Sequence, residues 1–329
     1  MQPEQVLITG ATGFLGRRLI EVFRSRGYSV VGSARRPDAT IRTSTWVSGD
    51  LNDTKVAEAA VAGCSVVINA AGRVDTGRMR PEELEQMAQF NSEEPACLAW
   101  LAGRAGVKLF LHISSTGVYG ARAQGLCDES TPCRPNSLYE RSKHTAEIAL
   151  GALCSDTMKV VTVRPSNVFG EMHPWNKLLA WMRAVKSGRA VLGTDPSRVF
   201  VNYVYVEDVA AAIVALVESR TLTGGEVLNI NDAQTMTEFF RATAKAVGVD
   251  GRARVLPANS LLLAGTLCDV VSHVFCRSLP FTRAKAREMT GRTIFAANRL
   301  KEICPDFPML GVEHGLGCLA RYYLDSGLL

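Results

Sequence analysis

The sequence predicts an α/β fold, in which a doubly wound parallel sheet is joined to a smaller C-terminal lobe. Short β-branched runs alternate with helical patterns through the first two-thirds of the chain, and a glycine-rich turn follows the first run. After Gly170 this alternation loosens. Apolar strands separated by helices imply crossovers between parallel strands, so we expect helices on both faces of the sheet.

The spacing of apolar residues predicts the individual elements. Strands are predicted at residues 5–9, 29–34, 66–70, 109–114 and 159–164, and helices at residues 14–26, 54–61, 81–103 and 139–153. We expect residues 1–170 to form the main domain, which residues 199–230 rejoin. Residues 171–198 and 231–329 should form the smaller lobe.

The composition and charge are those of a soluble globular protein. Of the 329 residues, 47% are hydrophobic and 21% are charged, and 37 basic against 32 acidic side chains give a net charge of +5. This charge is too small and too dispersed to predict a nucleic-acid partner, although it suits an anionic ligand.

Nine cysteines occur without any C-x-x-C pair, so the sequence predicts neither a metal site nor a disulfide scaffold. Reduced thiols are typical of cytoplasmic proteins, and the N-terminus lacks the pattern of a signal peptide. The longest apolar stretch, residues 261–268, has eight residues, whereas a transmembrane helix needs about twenty. We therefore expect a cytoplasmic protein without a transmembrane segment.

A glycine-rich turn lies between the first predicted strand and the first predicted helix. It reads Gly10-Ala-Thr-Gly13-Phe-Leu-Gly16. Glycines allow the tight turn and let the backbone approach a pyrophosphate at the positive N-terminus of the helix. The main domain is therefore predicted to be of the Rossmann type and to bind a dinucleotide through Gly10, Thr12, Gly13, Phe14, Leu15 and Gly16.

The end of the second predicted strand indicates which dinucleotide is bound. An acidic residue there would bind the adenosine ribose and repel a 2′-phosphate, but the sequence has Arg35 and Arg36. Two guanidinium groups suit the additional phosphate of NADP, so NADP is the preferred cofactor and NAD the alternative. Asp50 and Leu51 follow a third strand, where the adenine ring would lie.

A tyrosine and a lysine four residues apart predict the chemistry. Tyr139 and Lys143 should lie one turn apart on the same helix face. A neighbouring ammonium lowers the pKa of a tyrosine, which can then exchange a proton with a hydroxyl or carbonyl group. Ser114 and Ser115 follow a strand whose end faces the ligand crevice of an open α/β sheet, and a serine hydroxyl there can bind the reacting oxygen.

Taken together, these motifs resemble the extended short-chain dehydrogenase/reductases, the NAD-dependent epimerase/dehydratase family. The resemblance covers nearly the whole chain. Besides the motifs above it includes Gly49-Asp50-Leu51, Asn69-Ala70-Ala71-Gly72, Asn91, the runs 164–170 and 204–209, and Leu228-Asn-Ile230.

The resemblance implies roles for individual residues. Tyr139 would be the catalytic acid/base, Lys143 would also bind the nicotinamide ribose, and Ser115, rather than Ser114, would orient the substrate oxygen. Asn91 would support the site, or serve the structure alone. The implied cofactor contacts outside the glycine turn are Arg35, Arg36, Asp50, Leu51, Ala70, Ala71, Gly72, Asn91, Tyr139, Lys143 and Pro165.

Two departures from the family pattern bear on the reaction. Members that dehydrate sugar nucleotides carry an Asp-Glu pair after the catalytic hydroxyl, but this chain has Thr116 and Gly117, so a dehydratase is not expected. Members that act on nucleotide sugars often carry an arginine where this chain has Val201, although Arg198 could replace it. A basic run could clamp a diphosphate or form a solvated helix face; it contains Arg277, Arg283, Lys285, Arg287, Arg292, Arg299 and Lys301.

Three functions remain open. The preferred one is NAD(P)-dependent 4-keto reduction or 4-epimerisation of a nucleotide sugar in surface-polysaccharide synthesis. The second is a dehydrogenase or reductase of another alcohol or ketone, such as a 3β-hydroxysteroid or a flavonoid-like compound. The third is a non-catalytic NADP-binding subunit, against which the intact Ser115, Tyr139 and Lys143 argue. The candidate substrate contacts are Ser115, Thr116, Asn167, Trp175 and Arg198.

Two helical segments remain to be interpreted. An apolar helix over residues 260–275 is predicted to pack over the active-site cleft, or alternatively to lie at a membrane interface. The resemblance implies a homodimer in which two helices of each subunit form a four-helix bundle. Here these would be the helices at residues 81–103 and 139–153, the first of which has apolar residues at helical spacing.

Overall fold

Strands and helices alternate along the computed structural model, which describes residues 4–75, 79–121, 123–176, 178–274, 282, 286 and 290–329. The strands are β1 (Gln5–Thr9), β2 (Ser29–Ala34), β3 (Thr45–Ser48), β4 (Val66–Asn69), β5 (Leu109–Ile113), β6 (Leu126–Cys127), β7 (Lys159–Pro165), β8 (Asn167–Phe169), β9 (Ala190–Gly193), β10 (Phe200–Tyr205), β11 (Val227–Ile230), β12 (Asp232–Thr235), β13 (Ala253–Leu256) and β14 (Ile294–Phe295). The α-helices are α1 (Phe14–Ser25), α2 (Thr54–Val61), α3 (Pro81–Arg104), α4 (Leu138–Gly151), α5 (Leu179–Lys186), α6 (Val206–Glu218), α7 (Met236–Ala246), α8 (Ala258–Val274), α9 (Asn298–Ile303) and α10 (Gly311–Asp325).

A seven-stranded sheet forms the centre of the described chain, in the order β11-β7-β5-β4-β1-β2-β3. All its neighbouring strands are parallel. The predicted doubly wound α/β fold is therefore confirmed. The strand order reverses between β1 and β4, where Thr9 pairs with Asn69. In open α/β sheets, ligands bind outside the carboxyl ends of the strands at such a reversal.

Side chains alternate along β1 and bury the two faces of the sheet against different helices. Val6 and Ile8 belong to a core that also contains Phe23 of α1 and Ile213 of α6. Leu7 belongs to another core, which includes residues of α2, α3 and α4. Because helices cover both faces, β1 is apolar on both sides, which explains its continuous apolar sequence.

Smaller sheets connect segments that are distant in sequence. β8 and β12 flank β10, β13 pairs with β9, and β14 pairs with β6. The segment 199–230, which the sequence predicts to rejoin the main sheet, is divided in the structure. β11 is an edge strand of the main sheet, whereas β10 pairs in parallel with β8 and antiparallel with β12.

A capping box at the start of α4 determines where Tyr139 lies. The Ser137 side chain accepts a hydrogen bond from the Glu140 amide (3.1 Å), and the Glu140 carboxylate accepts one from the Ser137 amide (3.0 Å). These bonds satisfy amide groups that the first turn of a helix leaves unpaired. α4 therefore begins at Leu138, and Tyr139 and Lys143 lie one turn apart within it.

The apolar helix α8 buries one face and exposes another. Leu261 and Gly265 are buried, whereas Leu263 and Leu267 are exposed. Within the described residues, no helix is both long enough and apolar enough to cross a membrane. Two parts of the sequence prediction lie outside the described residues. One is Phe275, the last residue predicted for this helix, and the other is the part of the basic run that contains Arg277, Arg283, Lys285 and Arg287.

Candidate active site

The turn after β1 forms a backbone cradle at the N-terminus of α1. Gly10 has a φ of +61°, and a Cβ atom on it would lie 2.8 Å from the Ala70 carbonyl oxygen. A Cβ atom on Gly16 would lie 2.1 Å from the Gly10 carbonyl oxygen, so neither position has room for a side chain. Gly13 is the N-cap of α1 and supplies no side-chain cap to the first-turn amides. This arrangement fits a pyrophosphate bound at the helix N-terminus.

A cleft of about 260 Å³ extends from this cradle across the ends of β1, β2 and β4. Arg35, Asp50 and Leu51 line it, whereas Arg36 is exposed and is not among the lining residues. The structure thus brings most of the predicted cofactor contacts together. The other lining residues are Gly10, Thr12, Gly13, Ser33, Ala34, Gly49, Ala70, Ala71, Gly72, Arg73 and Phe90.

Eight of the predicted cofactor contacts do not line this cleft; they are Gly16, Arg36, Asn91, Tyr139, Lys143, Phe14, Leu15 and Pro165. Phe14 packs edge-to-face on His173, with 4.8 Å between the ring centroids. Leu15 is partly buried and packs against the main core and against the core of the smaller lobe. Pro165 is the last residue of β7 and pairs with Ile230 of β11.

A larger groove of about 990 Å³ follows α1 and shares Thr12 and Gly13 with the cleft. Phe14, Arg17 and Glu171 are among the residues that line it. Ser115, Tyr139 and Lys143 line neither this groove nor the cleft, but Lys143 Nζ lies against Gly72, which lines the cleft. Proton and hydride transfer require reacting groups within about 3 Å of one another. We therefore assign the chemistry to the cleft side of the turn and not to this larger groove.

The side chains of Ser115 and Tyr139 lie close enough to interact beyond the carboxyl end of β5. Ser115 is the N-cap of a 3-10 helix at Thr116–Tyr119, and its Oγ accepts a hydrogen bond from the Gly117 amide (3.1 Å). Burial raises the pKa of Tyr139, and the interaction with Ser115 opposes this rise. The direction is opposite to the lowering that the Tyr139–Lys143 spacing predicts.

The ammonium of Lys143 is bound to the main chain and is not among the groups that shift the pKa of Tyr139. Its Nζ donates a hydrogen bond to the Ile113 carbonyl oxygen (2.8 Å). The same atom lies against Gly72 in the wall of the cleft, where a Cβ atom would be 3.3 Å from it. Burial lowers the pKa of Lys143 to about 8, although Glu94 and Glu147 stabilise its charged form.

Glu94 is a buried carboxyl group that the sequence analysis missed. Its Oε2 accepts a hydrogen bond from Asn69 Nδ2 (3.4 Å), and Asn69 Oδ1 accepts one from the Thr9 hydroxyl (3.2 Å). Burial raises the pKa of Glu94 to about 7, whereas Asn69 and Lys143 favour its ionised form. The available signal was its position three residues after Asn91, which places both residues on one face of α3.

Asn91 holds the segment that follows Gly72. Its Nδ2 donates a hydrogen bond to the Arg73 carbonyl oxygen (2.9 Å), and its Oδ1 accepts one from the Arg73 amide (2.9 Å). Its Nδ2 also lies 3.4 Å from the Ser142 Oγ of α4. Asn91 is therefore a positioning residue for the wall of the cleft, and it is not among the residues that line the cleft.

Ser114, in contrast to Ser115, belongs to a buried ionic network. Its Oγ donates a hydrogen bond to the Glu147 carboxylate, which also binds Arg164. Arg164 Nη1 donates a further hydrogen bond to Tyr119 Oη (2.9 Å). The two adjacent serines thus have different partners, and only Ser115 interacts with Tyr139. Sequence reasoning missed Glu147, although it lies one turn beyond Lys143.

Cys133, His144 and Glu147 bring potential metal-ligand atoms within 4.8 Å of one another. Arg164 Nη2 donates hydrogen bonds to both Cys133 Sγ (3.2 Å) and Glu147 Oε2 (2.6 Å). The guanidinium group thus already occupies lone pairs that a metal would need, and its positive charge repels a cation. This geometry favours an ion-pair network over a metal site.

The residues predicted to contact the substrate lie in different environments. Thr116 is buried beside Ser115, whereas Asn167 is exposed and donates a hydrogen bond to the Asn202 carbonyl oxygen (3.0 Å). Trp175 is half-exposed, and its ring centroid lies 5.5 Å from that of His173.

The cations predicted to bind phosphates are exposed wherever the structure describes them. The Arg198 side chain is 73% exposed and forms an ion pair with Asp195 (3.3 Å). Val201, at the family's arginine position, is buried in the core of the smaller lobe. Arg292, Arg299 and Lys301 are also exposed.

Curated relatives of this chain act on different substrates. The chain is 29% identical to a ceramide reductase of Caulobacter vibrioides over 296 residues, which cover 86% of this chain and 83% of that protein. It is 29% identical to a 3 beta-hydroxysteroid dehydrogenase/Delta 5→4-isomerase of Mycobacterium tuberculosis over 261 residues, which cover 74% and 70% of the two chains. A UDP-glucose 4-epimerase of Vibrio cholerae is 32% identical over 175 residues, which cover 51% and 53%.

A solved structure and a family match agree with this fold. The structure of a UDP-glucose 4-epimerase from Thermotoga maritima with UDP-glucose superposes with a TM-score of 0.73 at 20% identity, and covers 98% of this chain and 99% of that one. The NAD dependent epimerase/dehydratase family matches residues 6–231. Since this match spans the glycine cradle and the segment that carries Ser115, Tyr139 and Lys143, the chain belongs to the NAD-dependent epimerase/dehydratase family, which uses a nicotinamide dinucleotide.

Proposed function

We propose that this protein is an NADP-dependent oxidoreductase that interconverts an apolar, lipid-like alcohol and its ketone. The observation that carries the proposal is the position of Lys143, whose ammonium lies against Gly72 in the cleft wall, one helical turn from Tyr139, whose side chain interacts with that of Ser115. A proton donor is thereby held beside a cleft that fits a dinucleotide. A non-catalytic subunit would have no need for this arrangement.

In this proposal Tyr139 moves the proton and Ser115 orients the oxygen. During reduction the carbonyl carbon gains a hydride, and the Tyr139 hydroxyl donates its proton to the carbonyl oxygen. During oxidation the phenolate accepts the hydroxyl proton as the hydride leaves. A bound nicotinamide would supply or accept that hydride. The raised pKa of Tyr139 favours its protonated form, which is the form that reduction requires.

An apolar substrate is supported by the relatives and by the exposed cations. Two relatives, which match 86% and 74% of this chain, are named for a ceramide and a hydroxysteroid, both lipids, whereas one named for dTDP-glucose matches 71%. A nucleotide sugar, which the sequence analysis preferred, carries two phosphates that need nearby cations. Val201 is buried where the family often has arginine, and Arg198 is paired with Asp195.

The preference for NADP rests on Arg35, which lines the cleft at the end of β2. A guanidinium there can bind the 2′-phosphate, and no acidic side chain follows β2 directly. We infer that the two parts of the chain have the binding functions that the sequence predicts. Residues 1–170, with 199–230, bind the cofactor, and residues 171–198 and 231–329 bind the substrate.

Ligand-dependent stability tests the substrate class. A ligand that binds only the native protein raises its apparent melting temperature by mass action. With saturating NADPH present, we expect a sterol ketone or a long-chain ketone to raise it further and to be reduced, with loss of NADPH absorbance. We expect millimolar UDP to have neither a stabilising nor an inhibitory effect. If UDP stabilises and inhibits the protein, and the apolar ketones neither stabilise it nor are reduced, the nucleotide-sugar function is supported instead.

A further inference from the structure

β13 and α8 expose apolar side chains that the proposed reaction does not use. Six large apolar residues of these elements are exposed, and we call the four that lie on α8 the apolar ridge. The ridge consists of Leu263 (62%), Leu267 (56%), Val270 (54%) and Val271 (41%). Val255 (56%) and Leu256 (41%) are successive residues of β13, so their side chains point to opposite faces of that strand. Single exposed apolar residues are common on proteins, but a contiguous group of this kind marks an interaction site.

The ridge lies on the exposed face of α8, opposite the face that is buried against the protein. Leu263, Leu267, Val270 and Val271 follow the i, i+4, i+7, i+8 spacing of a single helix face. Leu261 and Gly265, on the opposite side, are buried. α8 is therefore attached to the protein by one apolar face and presents another to its surroundings. A helix that served the protein core alone would have a polar outer face.

The charges next to the ridge indicate what covers it. Arg252 and Arg254 are exposed directly before Val255. The sequence of residues 275–289, which follows α8, contains four basic residues and one acidic residue. Along α8 itself the one charged residue is Asp269. An apolar strip bordered by cations in sequence is complementary to a bilayer surface, where anionic headgroups lie above acyl chains.

We propose that the apolar ridge docks on the surface of a membrane that contains anionic lipids, with α8 lying in the plane of the interface. Its apolar side chains enter the headgroup–acyl boundary, and the exposed Arg252 and Arg254 bind lipid phosphates. A second copy of the chain is a poorer occupant. A two-fold contact through this face would bring the same cations opposite one another, which is repulsive.

Vesicle flotation tests this docking independently of the proposed substrate. Purified protein is mixed with vesicles of phosphatidylcholine alone or of phosphatidylcholine with phosphatidylglycerol, at low and high salt. The variants are Leu267→Glu and Val270→Glu, and the matched control is Leu324→Glu, which changes an exposed leucine of α10. Loss of one buried leucine or valine side chain should weaken binding about tenfold or more.

We expect the wild type and Leu324→Glu to float with the anionic vesicles, less so at high salt and with phosphatidylcholine alone. We expect both ridge variants to remain unbound while they bind NADPH as the wild type does, which shows that they are folded. The proposal is overturned if the wild type stays unbound, or if the ridge variants float equally well. It is also overturned if light scattering shows a dimer that the ridge substitutions dissociate.

Reduction of a water-soluble ketone in the absence of vesicles separates this proposal from the proposed function. Although α8 belongs to the lobe that binds the substrate in our proposal, the ridge variants should retain that activity, because Leu267 and Val270 are exposed and line neither the cleft nor the larger groove. Inactivity of the wild type towards every ketone would reject the proposed function and leave the vesicle result standing. Vesicle binding that is lost only together with NADPH binding would overturn the docking proposal.

Discussion

Arg164 binds both carboxylate oxygens of Glu147, with Nε 3.0 Å from Oε1 and Nη2 2.6 Å from Oε2, and both side chains are buried. This pair joins β7 to α4, the helix that carries Tyr139 and Lys143. Burial opposes the charged form of Arg164, and the carboxylate of Glu147 outweighs that effect, so that the pKa of Arg164 is raised. The position of the proton-transfer groups therefore depends on an ion pair outside the cleft.

Glu147→Gln should destabilise the protein by about 3–5 kcal/mol, because it leaves the Arg164 guanidinium buried without a counter-charge. Chemical denaturation followed by circular dichroism measures this loss. The control is Glu302→Gln, which breaks the exposed Arg299–Glu302 pair (3.0 Å) and should cost no more than about 1 kcal/mol. Equal losses in the two variants would contradict a stabilising role for the buried pair.

Tyr139→Phe removes the exchangeable proton and keeps the ring. We expect turnover of the ketone substrate to fall about 10²–10⁴-fold, because proton transfer to the carbonyl oxygen is lost. NADPH affinity, measured by fluorescence titration, should hardly change. Tyr322→Phe in α10 is the matched control and should keep full activity. A Tyr139→Phe enzyme with most of its activity would show that another group is the acid.

Glu94→Gln should change how stability depends on pH. The pKa of Glu94 is raised from its ordinary value of 4.5 to about 7, so between these values the folded chain binds a proton that the unfolded chain has released. The stability of the wild type should therefore fall relative to Glu94→Gln as pH rises through this window, by about 3 kcal/mol.

Denaturation midpoints of both proteins across that pH range measure the difference. Glu93→Gln, at the exposed neighbouring position on α3, should follow the wild type at every pH. If the curves of wild type and Glu94→Gln run parallel, the Glu94 carboxyl does not titrate in this window. Removal of Glu94 also withdraws a charge that stabilises the Lys143 ammonium, so the pKa of Lys143 should fall further below its ordinary value.

Arg35→Ala should narrow the preference for NADPH over NADH. A charge-assisted hydrogen bond to the 2′-phosphate contributes about 1.5–3 kcal/mol, so we expect NADPH to bind about tenfold to a hundredfold more tightly than NADH to the wild type. Arg36→Ala is the control, because Arg36 does not line the cleft. Equal affinities of the wild type for NADPH and NADH would instead favour an enzyme that keeps NAD bound throughout its reaction cycle.

Ile148→Glu should dissociate the predicted homodimer. Ile148 on α4 is 65% exposed, and Trp100 on the neighbouring helix α3 is 49% exposed, so the two-helix face presents apolar side chains. Multi-angle light scattering should give twice the 35.6 kDa subunit mass for the wild type and one subunit mass for Ile148→Glu. A monomeric wild type at micromolar concentration would reject the four-helix contact.

Local patterns made the sheet and the cradle predictable. The alternation of strands and helices, the glycines at 10, 13 and 16, and the Tyr139–Lys143 spacing all lie within short segments, where periodicity and backbone sterics decide the conformation. The capping box at Ser137 and Glu140 likewise fixes the start of α4. Sequence reasoning therefore reached the fold and the principal candidate residues.

Long-range contacts were not predictable in the same way. Glu94 receives its hydrogen bond from Asn69, which lies 25 residues away, and Arg164 meets Glu147 through the packing of β7 against α4. The sequence contains these residues but does not show which polar groups share a buried environment. For the same reason the prediction that the pKa of Tyr139 is lowered was wrong, since that pKa depends on burial, which raises it.

The contact between Gly10 and the Ala70 carbonyl has a consequence for the order of folding. The cleft next to the cradle is built from two chain segments 60 residues apart, so the first strand and helix cannot form it alone. The complete cleft exists only after β4 has paired with β1. Return of cofactor affinity during refolding should therefore report the moment at which these two strands come together, and an N-terminal fragment that ends before β4 should not acquire it.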